Sequence, residues 1–173
     1  MLAAPLLVAV AACGGEERAY EVPDELCGVP VRPGLLEPLL PPGDELRQEK
    51  SSFGVSPGLQ GCMVFVDGDV ALDVTGKWRA AGHTAKEAAS NPGPDLIEGG
   101  RYALWNRGAA TVVPCRVPGQ EVVEADGGDE GKAELFSLEV EATKAEDGTE
   151  KAMKALIGPY AEAYRETLPC RDG

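Results

Sequence analysis

The residues of this chain whose chemistry is most constrained by their surroundings are its cysteines: Cys13, Cys27, Cys62, Cys115 and Cys170. Cys13 follows an uncharged and almost wholly apolar run of 12 residues, MLAAPLLVAVAA. That run is too short to cross a bilayer as a helix, which takes about 20 apolar residues. It has the length of the apolar core of a secretion signal. It closes on Val10-Ala11-Ala12-Cys13-Gly14, an aliphatic residue and two small ones ahead of a cysteine, as a lipobox does. The expectation is a lipoprotein signal peptide over 1–12, a lipid (palmitate-type) modification of Cys13 and a lipid anchor in the membrane. The run lacks the basic residue with which a signal opens, so the true start is expected a few residues upstream. An even four cysteines then remain, and in an exported chain these imply disulfides. Three connectivities are possible. Pairing Cys27 with Cys62 and Cys115 with Cys170 closes two separate halves and is the expected one. In the chain-entropy picture each bridge contributes roughly 4 kcal/mol. A zinc site is not expected, because there is no CxxC spacing and His83 is the only histidine.

Other candidate chemistry is weaker. A Ser-His-Asp or Cys-His site would have to use His83, which sits in a Gly/Ala-rich stretch away from any GxSxG-like signature. Asp67, Asp69 and Asp73 suggest calcium at first sight. Gly68 comes too early for an EF-hand loop, however, and apolar alternation surrounds it, so a hairpin turn is the better reading. The run Glu121, Glu124, Asp126, Asp129, Glu130 is a looser cation candidate, in which Asp126, Asp129 and Glu130 are the positions to watch; a solvated loop is the favoured reading. With 29 acidic residues in the chain, some pair of carboxylates will stand at a glycosidase-like separation by chance, so spacing alone gives no signal. No phosphate-binding GxGxxG follows a strand and no Walker loop is present. Trp78, Tyr102 and Trp105 could line a ligand cleft, although a tryptophan on a strand is more often core. No cofactor and no catalytic residue is expected. The net charge of −13 argues against nucleic acid, whose phosphates need basic partners.

These groups need elements to hold them. Residues 13–22 read as a flexible tether and 23–173 as a single extracytoplasmic domain. Leu35, Leu36, Leu39 and Leu40 fall at helical spacing and predict two turns of helix, stopped by Pro41-Pro42. Residues 41–58 read as loop. Residues 62–74 predict a β-hairpin around Asp67-Gly68, with Phe65 facing Val70 and Met63 facing Leu72; these four and Val74 are the expected core face. Residues 76–100 read as a long connection, in which Thr84 and Glu87 predict a capping box and a short helix near 85–90. A second hairpin is predicted over 101–117, an acidic loop over 118–132 and a further strand over 134–142. The C-terminal segment predicts a helix capped by Asp147 and Glu150. Its stripe is Met153, Leu156, Ile157, Tyr160, Tyr164 and Leu168, with a kink at Pro159.

Taken with the Cys13 lipobox, the segments Leu26-Cys27-Gly28, Gly61-Cys62, Tyr102–Trp105 to Pro114-Cys115, and Leu168-Pro169-Cys170 resemble small lipoproteins of streptomycete-type actinobacteria. The resemblance implies an α+β domain with cysteine staples and carries no catalytic residues. The expected architecture is therefore α+β: an antiparallel sheet of roughly four to six strands with a packed C-terminal helix and two disulfides. The expected function is that of a non-catalytic module on the outer face of the cell membrane that binds a small molecule or an envelope protein. A cell-envelope hydrolase using paired carboxylates is the alternative.

Overall fold

The computed structural model describes residues 18–52, 59–119, 121–122 and 131–170. In chain order these form a ribbon of β1 (Glu25–Leu26) and β2 (Val29–Pro30), then α1 (Pro33–Leu36), continued by a 3₁₀ turn over Glu37–Leu39. Next come β3 (Leu46–Ser52), β4 (Leu59–Val66), β5 (Asp69–Arg79), α2 (Ala85–Ala88), β6 (Asp95–Ile97), β7 (Tyr102–Trp105) and β8 (Gly108–Pro114). A second ribbon of β9 (Glu121–Val122) and β10 (Gly131–Lys132), then β11 (Leu135–Ala142) and α3 (Thr149–Thr167), complete the order. The fold is α+β, as expected. Among the described residues the antiparallel sheet has seven strands rather than the four to six expected, ordered β3-β4-β5-β11-β8-β7-β6. Two three-stranded meanders are thus joined by β11, which pairs with β5 on one side and β8 on the other.

Local chemistry explains most of these elements. Asp67 and Gly68 both take positive φ, 52° and 89°, which is the type I′ geometry that joins β4 to β5. Phe65 faces Val70 across the hairpin as predicted, but the register slips next to it, and Val64 rather than Met63 faces Leu72. The extra residue is Ala71, a β-bulge on β5. A one-residue slip turns a strand over. The buried face of β4 is accordingly Cys62, Val64 and Val66, while Met63 and Phe65 point to the other side, and Val70 across from Phe65 is only half-buried; of the expected core face, Leu72 and Val74 are buried and Met63, Phe65 and Val70 are corrected. Arg47 stacks on the Phe65 ring at 3.9 Å there. Residues 46–52, expected as loop, form the edge strand β3, whose charged residues suit a sheet edge. The long connection predicted over 76–100 also loses its ends, to β5 and β6.

The helix α3 lays Met153, Leu156, Ile157, Tyr160 and Tyr164 on the sheet, all buried. It runs unbroken through Pro159, and its N-cap is Gly148, in the left-handed region at φ 93°, with no side-chain cap. The predicted Asp147–Glu150 box is absent; Thr149 Oγ1 instead accepts from the Glu146 N–H at 2.9 Å. Beneath α3, Phe136 of β11 packs between Trp78, edge-on at 4.9 Å, and Tyr164, stacked at 5.4 Å. The opposite face is partly covered by α2, whose predicted capping box is present: Thr84 Oγ1 accepts from the Glu87 N–H, and the Glu87 carboxylate accepts from the Thr84 N–H. Both disulfides pair as expected, Cys27–Cys62 and Cys115–Cys170, with Cα separations of 5.9 and 4.8 Å. Residues 18–22, expected within the tether, lie against the domain: Arg18 donates to the carbonyls of Glu37 and Leu40, and Tyr20 donates to that of Pro41.

Candidate functional site

The best-built concavity lies where the β1–β2 ribbon meets β4 and the end of α3. Cys27 and Gly28 form the two-residue turn of that ribbon, both at positive φ, 59° and 74°. A cysteine is seldom found there, because its Cβ crowds the backbone. The turn is held by three ties. The Cys27–Cys62 disulfide binds it to β4. Gln48 of β3 brackets it, its Oε1 accepting from the Cys27 N–H at 2.6 Å and its Nε2 donating to the Glu25 carbonyl at 3.0 Å. From α3, the buried Tyr160 hydroxyl donates to the Leu26 carbonyl at 3.1 Å. Burial pushes the Tyr160 phenol well above its ordinary proton affinity, so it stays a donor at any physiological pH.

Beside this turn opens a groove of about 410 Å³. Its apolar walls are Val29, Val74 and the disulfide, and its polar groups are Lys50, Gln60, Tyr164 and Thr167. Tyr164 Oη donates to Gln60 Oε1 at 3.0 Å, which turns the Gln60 amide nitrogen away from the phenol. The Thr167 hydroxyl donates to the Tyr164 carbonyl at 2.7 Å. Burial raises the Tyr164 phenol too, so it is neutral. Lys50 Nζ lies directly over Gly28, where a Cβ would come within 2.3 Å of it. The backbone favours glycine at 28 through its positive φ, and the absent side chain leaves the space that the Lys50 ammonium occupies. No carboxylate is among the described residues that line the groove.

A second constellation lies on the opposite face of the sheet. Asp73 of β5 stands directly across from Glu141 of β11, with Glu139 two residues along the same strand. Glu141 is paired with Arg107 Nε at 3.0 Å and accepts from Trp105 Nε1 at 3.3 Å. Glu139 accepts from the Ser90 N–H at 3.0 Å. Partial burial, with lesser repulsion from Glu141, raises the proton affinity of Asp73 and Glu139; hydrogen bonds from Thr75 and Ser90 work against the shift.

The three aromatic candidates do not share a cleft. Trp78 is in the main core and Tyr102 packs beneath α3, beside a separate groove of about 280 Å³ that also borders Gly158 and Arg165. Trp105 faces the other side of the sheet with Ala85, Ala103 and Ala110. His83 lies in the loop before α2; the proton affinity of the nearby Glu87 carboxyl is lowered chiefly by its hydrogen bonds from Thr84, with His83 a minor contributor. Asp126, Asp129 and Glu130 lie outside the described residues. Among the described residues no three His, Cys, Asp or Glu side chains are grouped as metal ligands. The sequence pointed to Cys27 and Cys62 but not to Lys50, Gln60 or Tyr164. Those residues come from three separate elements and share no motif.

No family model, curated protein or solved structure matches this chain. The lipoprotein expectation is corrected accordingly: no lipoprotein or signal-peptide relative stands behind Cys13 or behind the resemblance to actinobacterial lipoproteins. No helix among the described residues is long and apolar enough to cross a membrane. The signal-peptide, palmitate and membrane expectations are withdrawn, while the disulfides stand on their geometry.

Proposed function

We propose that this protein is a non-catalytic module that works outside the cytoplasm and binds a small molecule in the groove beside the Cys27–Cys62 disulfide. Two disulfides support an oxidising compartment. The observation that carries the reading is the fastening of the Cys27–Gly28 turn by a disulfide, a glutamine bracket and a buried tyrosine. A rim fixed in advance loses little conformational freedom when a ligand arrives. The strained turn residue adds to this, since such conformations collect at ligand clamps. The groove's size and its few polar groups on apolar walls suit a small ligand. The test is a fragment screen by NMR on the full chain, repeated with Thr167→Trp, which fills the groove from an exposed position. Hits should move the amides of 27–29 and 60–62 and be lost in the variant. Hits that cluster elsewhere, or that survive the variant, reject the site.

A carboxylate hydrolase is the second reading, favoured by the raised proton affinity of Asp73 and Glu139. Neither residue lines either of the two grooves described above. Turnover of chromogenic glycosides that disappears in both Asp73→Asn and Glu139→Gln would support it.

A further inference from the structure

We infer that the groove beside the Cys27–Cys62 disulfide takes a small organic carboxylate. This rests on the groove being the ligand site, as proposed above. The inference follows from where the groove's hydrogens are already committed. The Tyr164 hydroxyl proton goes to Gln60 Oε1 and the Thr167 hydroxyl proton goes to the Tyr164 carbonyl. Among the side chains described there, what remains to donate is the Lys50 ammonium and the Gln60 amide nitrogen, which lie on neighbouring strands of one sheet, β3 and β4. The Tyr164 and Thr167 oxygens keep lone pairs for a neutral ligand hydroxyl, but they carry no charge. A carboxylate offers two acceptor oxygens to those two donors, and hydrogen bonds to a charged partner are about twice as strong as neutral ones.

Charge points the same way. The chain has 29 acidic against 16 basic residues, yet among the described residues that line this groove the one ionised group is a lysine. Among the described residues Lys50 makes no ion pair. A cationic ligand would be drawn to almost any other part of so acidic a surface, and here it would meet an ammonium. The apolar walls of Val29, Val74 and the disulfide leave room for a hydrocarbon or aromatic body behind the carboxylate. The Gly28 backbone, bare of a side chain, lies beneath the Lys50 ammonium.

The experiment is amide-resolved NMR titration of the full chain, near neutral pH, with benzoate, benzyl alcohol and benzylammonium separately. These probes share one ring and differ in charge. Benzoate should shift the amides of 27–29 and 60–62 and bind about tenfold more tightly than benzyl alcohol, with benzylammonium weaker still. Lys50→Gln should remove the benzoate advantage and leave benzyl alcohol unchanged, while Lys50→Arg should keep most of it. If benzyl alcohol or benzylammonium binds the same amides as tightly as benzoate, or if Lys50→Gln changes nothing, the carboxylate assignment is overturned and the groove remains a ligand site. If none of the three probes moves those amides, the carboxylate assignment and the groove reading both fall.

Discussion

Phe136 has none of its surface exposed, and its ring tip lies where a side chain at Gly76 would stand: a Cβ there would be 2.3 Å from Cζ. The ring cannot yield, because Trp78 meets it edge-on and Tyr164 stacks on it. Gly76→Ala is therefore expected to cost about 1–3 kcal/mol by overpacking, read as a lower denaturant midpoint at unchanged slope. On the other face, Asp73 and Glu139 bind a proton more tightly in the folded than in the unfolded chain. With a raised folded-state pKa, each favours the fold as pH falls through that value and opposes it at higher pH. Glu139→Gln keeps an acceptor for the Ser90 N–H and removes the charge. The variant should melt higher than the parent at neutral pH, and the gap should close at about pH 3, where the carboxylate of the parent is protonated in both states. A thermal melt series across pH reads this directly. Single residues were legible in the sequence only where chemistry is local. Cys27 and Cys62 announce a bridge, whereas the significance of Gly76 or Glu139 depends on partners some 60 and 49 positions away.

Elements were legible where a turn or a period marks them. The Asp67-Gly68 turn and the α3 stripe each carry their own signal, and the first hairpin, the second hairpin predicted over 101–117 and the C-terminal helix formed where they were expected. The strand β3 carries none: Leu46 is the only apolar residue in LRQEKSS, because an edge strand is paired on one side and wetted on the other. The face of β4 was misread for a different reason. Its sequence is apolar on both sides, and the deciding bulge sits on the partner strand at Ala71. The short helix α2 tests the capping argument in isolation, since with four residues it cannot be stable from propensity alone. Thr84→Ala removes both the acceptor for the Glu87 N–H and the hydroxyl that faces the Glu87 carboxylate. About 1 kcal/mol should be lost, and hydrogen exchange at the Ala88 amide, bonded to the Thr84 carbonyl, should quicken ahead of the sheet. For α3, Leu156→Ala empties a fully buried position between helix and sheet and should cost about 2–5 kcal/mol in global stability.

At the scale of the whole molecule, the two disulfides close loops that do not overlap, separated by 35 and 55 positions in sequence. The first fastens the β1–β2 ribbon to the β3–β5 meander. The second ties the chain just beyond α3 to the end of β8, in the other meander. Each should contribute roughly 4 kcal/mol through the unfolded chain, against a total stability for such a domain of about 5–15 kcal/mol. Cys27→Ser with Cys62→Ser, and Cys115→Ser with Cys170→Ser, should each leave a cooperative fold that melts at lower temperature. Removing all four bridged cysteines should leave a chain largely unfolded at 37 °C. Because the loops are separate, their entropic contributions are independent, and the two losses should add to within about 0.5 kcal/mol. One physical route could break that additivity. The last turns of α3, held by Cys170, carry the Tyr164 that bonds to Gln60, two residues from Cys62. Denaturant melts of the two double variants, the quadruple variant and the same set with Tyr164→Phe form the cycle that decides. A coupling energy that vanishes with the Tyr164 hydroxyl would assign the coupling to the wall of the groove, and additivity throughout would leave each bridge stabilising its own half.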